Sequence, residues 1–362
     1  MEVEKLGIEQ KIGQMLIIAL EEKEINEKTI DIIQKYNIGG IILYRKNYNT
    51  YEEMLDLINK LKEINKVNEI PLFISIDQEG GRVNRMPSEI LNLESANKIS
   101  KKGDITLVKE SANIIGEMLI KTGINMNYSP VLDIKNFKES HAIGDRCYGE
   151  NKEDVSKYGI EFMKELSKKG ILPVEKHFPG HGATRQDSHV MLPIVTKSKS
   201  ELENEHIEPF KYAIQNGAEA IMVGHILAKD IDKKYPASLS KKTIQEYLVK
   251  KLNFQGLIIT DDLKMLAIRL RYSLKRAVIL AINSGNNMIM IGAKYKKVER
   301  IIKKISKKVQ KRKIDIDKIN QSVQSIISVK KKYNINDNKV EGFDIEDINK
   351  KIKELNKKIL SN

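Results

Sequence analysis

A single cysteine, Cys147, stands in 362 residues, which excludes an intramolecular disulfide and fits a reducing compartment. No apolar run approaches the roughly 20 residues that span a bilayer, so no membrane partner is expected. The opening segment MEVEKLGIEQKIGQML carries acidic residues ahead of a short apolar stretch. A secretory leader wants a basic start, a longer apolar run and a small-residue cleavage site, so a cytoplasmic location is expected. Aromatic residues make up only 6% and do not interleave with the basic runs as a base-stacking platform requires. That scarcity matters because the formal net charge is +14, and basic proteins attract nucleic acid and anionic surfaces. The lysines are scattered along helical patterns, with many after Lys294, and Ile, Asn and Lys are frequent throughout. No nucleic-acid partner is expected. The Gly-x-Gly-x-x-Gly loop of a dinucleotide fold is also absent after the early apolar runs.

What is present is alternation. Short β-branched runs read as strands: Gly39–Tyr44, Pro71–Asp77, Ile124–Val131, Ile171–His177, Ala220–His225, Leu257–Asp261 and Met288–Gly292. Gln14–Leu20 reads either as an eighth strand or as the end of a first helix. Amphipathic stretches lie between, at Tyr51–Ile64, Thr106–Thr122, Lys152–Lys169, Ser200–Asn216 and Ser273–Ser284. Repeated strand–helix units imply parallel strands joined by crossover helices, and seven or eight of them predict an α/β protein of the (β/α)8 TIM-type barrel class. The barrel is expected over residues 1–335 as one catalytic domain. Residues 336–362 are expected to form a Lys-rich helical extension, with Ile345, Ile348, Ile352, Leu355 and Ile359 at helical spacing and Asp344 as N-cap.

Reactive side chains gather where strands end. Asp77, Lys176, His177, His225 and Asp261 each close a strand run or follow it, and barrel enzymes build their sites on that face. In DQEGGRVNR (77–85), Gly80 and Gly81 permit positive φ, and Asp77 with Arg85 could fork two adjacent sugar hydroxyls or form a plain ion pair. In KHFPGHGATRQDSH (176–189) two Gly and a Pro make an irregular loop carrying His177, His181, Asp187 and His189. Three readings stand open for that loop: a metal site, acid/base work with Asp187 orienting His189, or histidines that only fill hydrogen bonds. In IITDDLKM (258–265), Asp261 is read as a nucleophile and Asp262 as a cap, and the two could be exchanged.

Taken in order, DQEGGRVNR, IGDRCYG (143–149), KHFPGHGATRQDSH, PASLS (236–240) and TDDLKM resemble the β-N-acetylglucosaminidase branch of glycoside hydrolase family 3, from about the first helix to about residue 333. The resemblance implies that Asp261 is the nucleophile and that Asp187 and His189 form an acid/base dyad in which histidine replaces the usual second carboxylate. It implies that Asp77, Arg85, Arg146, Lys176 and His177 hold the N-acetylglucosamine ring, with His181 at a further family position. It also implies no metal and no cofactor, a small saccharide or muropeptide as substrate, and cell-wall recycling as the setting. A monomer is expected. Physics agrees with such a dyad, because a carboxylate favours protonated imidazole, and the same imidazole, once neutral, can activate water. Three departures bear on the leaving group: AIRLRYSLKRA (267–277) is unusually basic, EEKEINEKT lacks a Gly-aromatic turn, and Cys147 stands where Ser is commoner. Transfer to phosphate, or a metal-dependent hydrolase built on the histidines, are the alternatives.

Overall fold

The computed structural model describes residues 3–135, 142–184, 188 and 191–361. Among the described residues, eleven strands occur in the order β1 (Leu16–Ala19), β2 (Gly40–Leu43), β3 (Phe73–Ile76), β4 (Met126–Asn127), β5 (Leu172–Pro173), β6 (Glu175–Phe178), β7 (Ile194–Val195), β8 (Ala220–Val223), β9 (Leu227–Ala228), β10 (Leu257–Thr260) and β11 (Ile289–Ile291). One parallel sheet runs β11-β1-β2-β3-β4-β5, a second runs β10-β8-β6, and β7 pairs with β9. Single parallel bridges, Val131 to Lys176 and Ile259 to Met288, link the two larger sheets at their margins. The fold is therefore α/β with parallel strands. β1, β2, β3, β8 and β10 are buried at every position, as expected for strands covered on both faces, and each such aliphatic side chain contributes about 1.5–3 kcal/mol.

The eight expected strand regions all contain strands, shorter than their apolar runs. The Gln14–Leu20 ambiguity resolves into both readings: a helix over Ile8–Gln14 and then β1. Ile124–Val131 pairs as a strand only at Met126–Asn127, because Pro130 lacks the N–H that would extend the ladder. The helix expected over Ser200–Asn216 breaks into Lys199–Glu201, a widened turn at Leu202–His206 and a helix at Glu208–Gln215. Pro209 sits in the first turn of that last helix, where its missing N–H costs nothing. A helix at Glu27–Tyr36, capped by Asn26, was not among the expected ones.

The segment Ile345–Leu360 is helical, and Asp344 accepts the Glu346 N–H as its cap. It buries Ile348, Ile352, Leu355 and Ile359, and it packs on the Ile105–Thr122 helix. Lys351 pairs with Glu117 at 3.1 Å and Lys358 with Glu110 at 2.9 Å across that contact. At the amino ends of the strands, Lys330 is buried and donates from Nζ to Gln14 Oε1 (3.2 Å), Gly39 O (2.9 Å) and Pro71 O (2.6 Å). Those three acceptors precede β1, β2 and β3, so this side chain seals that end. Among the described residues, no helix is long and apolar enough to cross a membrane.

Candidate active site

Because the strands run parallel, the side chains at their carboxyl ends converge. Asp77 follows β3, Lys176 and His177 lie in β6, and Asp261 follows β10. A cavity of about 490 Å³ is lined by all four, together with Arg85, Arg146, Asp262 and Tyr44. Every ring-holding residue expected from the sequence reaches this one space. Asp187 and His189 lie outside the described residues. Ser188, between them, is buried and lines the same cavity.

Four charges form one chain. Lys176 Nζ donates to Asp77 Oδ1 and Glu79 Oε1, each at 2.7 Å, and the Arg146 guanidinium grips Glu79 through Nε and Nη2, each at 2.8 Å. Burial alone would raise the Glu79 carboxyl, but Arg146 and Lys176 hold it far below the usual carboxylate range. The network has no net charge, so its donors stay fixed in place without an uncompensated buried ion. Asp77 therefore pairs with Lys176, and not with Arg85 as the plain ion-pair reading would require, while both Asp77 and Arg85 line the cavity. Arg85 donates its backbone N–H to Gln78 Oε1 (2.8 Å). Gly80 and Gly81 take φ of 86° and 55°, as this tight turn requires.

A second cluster lies beside it. Asp133 is fully buried; its Oδ2 is 2.7 Å from His177 Nδ1, and its Oδ1 accepts the His181 N–H at 2.5 Å. Burial would raise the Asp133 carboxyl, yet His177 and then His181 keep it low. His181 is itself held down to about 4, by burial first and by His177 second. Its ring nitrogens share hydrogen bonds with Thr184 Oγ1 and Ser188 Oγ, both at 3.1 Å. Gly182 passes so close to the carbonyl of Ile134 that any Cβ would collide with it.

The two aspartates after β10 have different work. Asp262 Oδ1 accepts the backbone N–H of Lys264 and of Gly292, both at 2.9 Å, so it clasps the turn to the end of β11 instead of capping the next helix. Burial pushes its carboxyl up. Asp261 accepts the Asp262 N–H at 2.8 Å and faces the cavity. His225 is buried outside the cavity lining; its ring bonds Ser238 Oγ (2.8 Å) and the Asp262 carbonyl (2.9 Å) beneath the turn. Cys147 is buried, donates to Gly144 O at 3.4 Å, and burial pushes its thiol up to about 11, which makes it a poor nucleophile. Among the described residues, no three His, Cys, Asp or Glu side chains are grouped to hold a metal ion.

Sequence reasoning did not single out Glu79, Asp133, Tyr44 or Ser188. Asp133 carried a usable signal, since it follows the apolar run INMNYSPVL as Asp77 and Asp261 follow theirs. Glu79 carried none, because its partner Arg146 lies 67 residues away.

A family model, the glycosyl hydrolase family 3 N terminal domain, matches residues 7–329. The beta-hexosaminidase of Haemophilus influenzae (strain Rd) is 31% identical over 281 residues, covering 76% of this chain and 78% of that protein. The beta-hexosaminidase of Methylobacillus flagellatus is 29% identical over 293 residues, covering 79% and 82%. A family 3 β-N-acetylglucosaminidase from Paenibacillus sp. superposes with a TM-score of 0.92 at 30% identity, covering 98% of this chain and 69% of that one. A match over most of the length, with residues from the segments 77–85, 143–149, 176–189 and 258–265 lining one cavity, leaves one assignment: this chain belongs to glycosyl hydrolase family 3 and is a glycoside hydrolase.

Proposed function

We propose that the protein is a retaining exo-β-N-acetylglucosaminidase, releasing terminal β-linked N-acetylglucosamine through a glycosyl-aspartate intermediate. The observation that carries this reading is one cavity shared by Asp261, by Asp77, Lys176 and Arg146, which Glu79 ties together, and by Ser188, the residue between Asp187 and His189. The names of the beta-hexosaminidase relatives and of the Paenibacillus structure support it.

In the proposed mechanism, Asp261 attacks the anomeric carbon while protonated His189 gives its proton to the leaving oxygen. The glycosidic bond breaks and a glycosyl ester on Asp261 forms. Neutral His189 then takes a proton from water, whose oxygen displaces Asp261 and restores both groups. Asp187 orients the imidazole and favours its charged form. Asp77, Lys176, Arg146, His177 and Arg85 hold the sugar ring, with donors and acceptors matched to hydroxyls and the acetamido group. Asp133 keeps His177 in one orientation from behind.

The two larger sheets are read as parts of one eight-stranded (β/α)8 barrel, with residues 1–335 as the catalytic domain and 336–362 as its helical extension. A cytoplasmic enzyme acting on muropeptides or chitooligosaccharides in cell-wall recycling, and working as a monomer, fits the sequence expectations.

The test is trapping with a fluorinated N-acetylglucosaminide and mass spectrometry of the labelled peptide. Label on Asp261 is expected; label on Asp262, or none with turnover intact, would overturn the mechanism. Replacing His189 with Ala should cut turnover of poor leaving groups about 10²–10⁴-fold and spare activated aryl glycosides. Equal losses on both would remove its role as acid.

A further inference from the structure

The terminal helix, Ile345–Leu360, lies beyond the residues that the family model matches, yet it grips the segment that leads away from the cavity-lining residues Asp77 and Arg85. Two of its side chains do this in the same way. Asn349 accepts the Leu91 N–H at Oδ1 (2.7 Å) and donates from Nδ2 to Glu89 O (2.8 Å). Asn356 accepts the Glu94 N–H at Oδ1 (3.1 Å) and donates from Nδ2 to Asn92 O (2.8 Å). An asparagine amide carries an acceptor and a donor on one short stem, so it can pair with a carbonyl and with the N–H two residues on. The spacing fits as well. From Asn349 to Asn356 a helix advances about 10.5 Å in nearly two turns, which keeps both amides on one face. From Leu91 to Glu94 extended chain advances about 10 Å, and no turn interrupts it there.

The gripped segment in turn holds the turn beside the cavity. Leu93 O accepts the Gly81 N–H at 2.8 Å, and Asn92 Nδ2 donates to Gly81 O at 2.5 Å. The approach is close at both glycines: a Cβ on Gly81 would meet Ser95 Cβ at 2.7 Å, and one on Gly80 would meet Glu94 O at 3.0 Å. Gly80 is bridged to Val83, and the Glu79 N–H donates to Val83 O at 3.0 Å. Asp77, Val83 and Arg85 line the cavity, and Glu79 fastens Lys176 and Arg146. Bonded groups thus run without a break from the terminal helix, through 89–94, to the charges that face the cavity. Between β3 and the Ala96–Ser100 helix the chain has no helix and only the Gly80–Val83 bridge, so outside contacts of this kind set its shape. The helix can serve as the fixed end because it is anchored elsewhere. It buries Ile348, Ile352, Leu355 and Ile359, and its Lys351 and Lys358 pair with the Ile105–Thr122 helix.

We infer that Asn349 and Asn356 are positioning residues: through 89–94 they fix the Gly80–Gly81 turn, and with it the placing of Asp77 and Arg85 around the sugar ring. The inference rests on the glycosidase reading above and adds to it two residues outside the matched family domain. The competing role for this helix is cover for the Ile105–Thr122 helix and nothing more. Cover needs the buried isoleucines and Leu355; it does not need two amides matched to two backbone pairs.

The experiment compares the wild type with the double variant Asn349→Ala, Asn356→Ala, with each single variant, and with the double variant Lys351→Ala, Lys358→Ala. The lysine pair loosens the same helix without touching the amides. Two things are read: hydrogen exchange of the Gly81 amide by NMR, and the kinetics of aryl N-acetyl-β-glucosaminides with free N-acetylglucosamine as inhibitor. In the asparagine pair Gly81 should exchange about tenfold faster or more, because opening of the turn no longer has to break the four outer bonds. KM and the inhibition constant should rise about tenfold, with kcat changed by less than about twofold, the pattern of lost ring binding. The ratio of rates on good and poor leaving groups should stay at the wild-type value, unlike that of His189→Ala, because proton transfer is untouched. Each single variant should show a smaller part of both effects, which guards against a folding defect in the pair. The lysine pair should leave every quantity within about twofold. An unchanged KM in the asparagine pair, or an equal rise in the lysine pair, would overturn the inference with the glycosidase reading intact. So would a Gly81 amide that exchanges at the wild-type rate in the asparagine pair. A wild type that turns over no aryl N-acetyl-β-glucosaminide would instead defeat the glycosidase reading, and the positioning role with it.

Discussion

Two lysines are buried to 1% exposure, one at each end of the strands, and they are satisfied in opposite ways. At the carboxyl ends, Lys176 bonds two carboxylates, Asp77 and Glu79, and borders an open cavity. At the amino ends, Lys330 donates to neutral oxygens, those of Gln14, Gly39 and Pro71, and its ammonium lies over the Phe73 ring at 4.8 Å. Burial pushes the Lys330 ammonium down to about 7, and Asp337 offsets only part of that effect. The same residue type therefore serves as an ion-paired donor facing the cavity at one end and as a structural plug at the other. What separates them is the partner set, and not burial.

The contrast is broken most readily by removing each lysine in turn. Lys176→Met leaves Asp77 and Glu79 without their common cation, and kcat/KM should fall about 10²–10³-fold, the size expected when one member of a buried charged group is deleted. Lys330→Met should leave kcat/KM within about twofold, since it touches no part of the cavity lining. Comparable losses in both would erase the distinction.

Glu79→Gln sharpens it by pH. The variant should be about 3 kcal/mol less stable than the wild type near pH 7, because Arg146 and Lys176 lose their buried acceptor. The folded-state carboxyl of Glu79 lies below its ordinary value of 4.5. Its contribution is thus complete above pH 4.5 and is lost as pH falls below that value, so denaturant unfolding at pH 3 should show a smaller gap between the two proteins.

Lys330→Met should cost about 2 kcal/mol near pH 6, for three orphaned acceptors partly repaid by the removal of a buried charge. Here the sign runs the other way. Free lysine titrates at 10.5 and the folded group at about 7, so below 7 both states carry the proton and the gap is flat. Between 7 and 10.5 the unfolded chain holds a proton that the native state lacks, and wild-type stability should rise with pH relative to the variant. A gap that narrows with rising pH would contradict the plug. The smallest effect belongs to Lys351→Ala at the helix surface, where the exposed pair with Glu117 should contribute about 0.5 kcal/mol in urea unfolding and less in high salt.

The architecture was legible because parallel strands buried on both faces leave continuous apolar runs such as LIIA, GIIL and LIIT. The 124–131 run was read too long because Pro130 lacks the N–H a continuous ladder needs, so strand pairing stops at Asn127 and returns only at the Val131–Lys176 bridge. The cavity-facing residues Asp77, Lys176, His177 and Asp261 were legible from their place at strand ends. The distinction between Asp261 and Asp262 was not, because it depends on the backbone N–H of Gly292, 30 residues downstream. The plain Asp77–Arg85 ion pair, the alternative to the fork, is absent for the same kind of reason: proximity in sequence suggested it, and Lys176, 99 residues on, took the carboxylate.

The backbone carbonyl of Ser188 accepts the N–H of Ala267 at 3.3 Å, which fastens the segment after β10 to a residue that lines the catalytic cavity. The segment after β10 and the cavity wall at Ser188 thus share one backbone clasp. Engineering of the 266–272 stretch would tug on Ser188, next in sequence to the proposed acid His189, so a variant altered there should emerge slower before it gains any new leaving group.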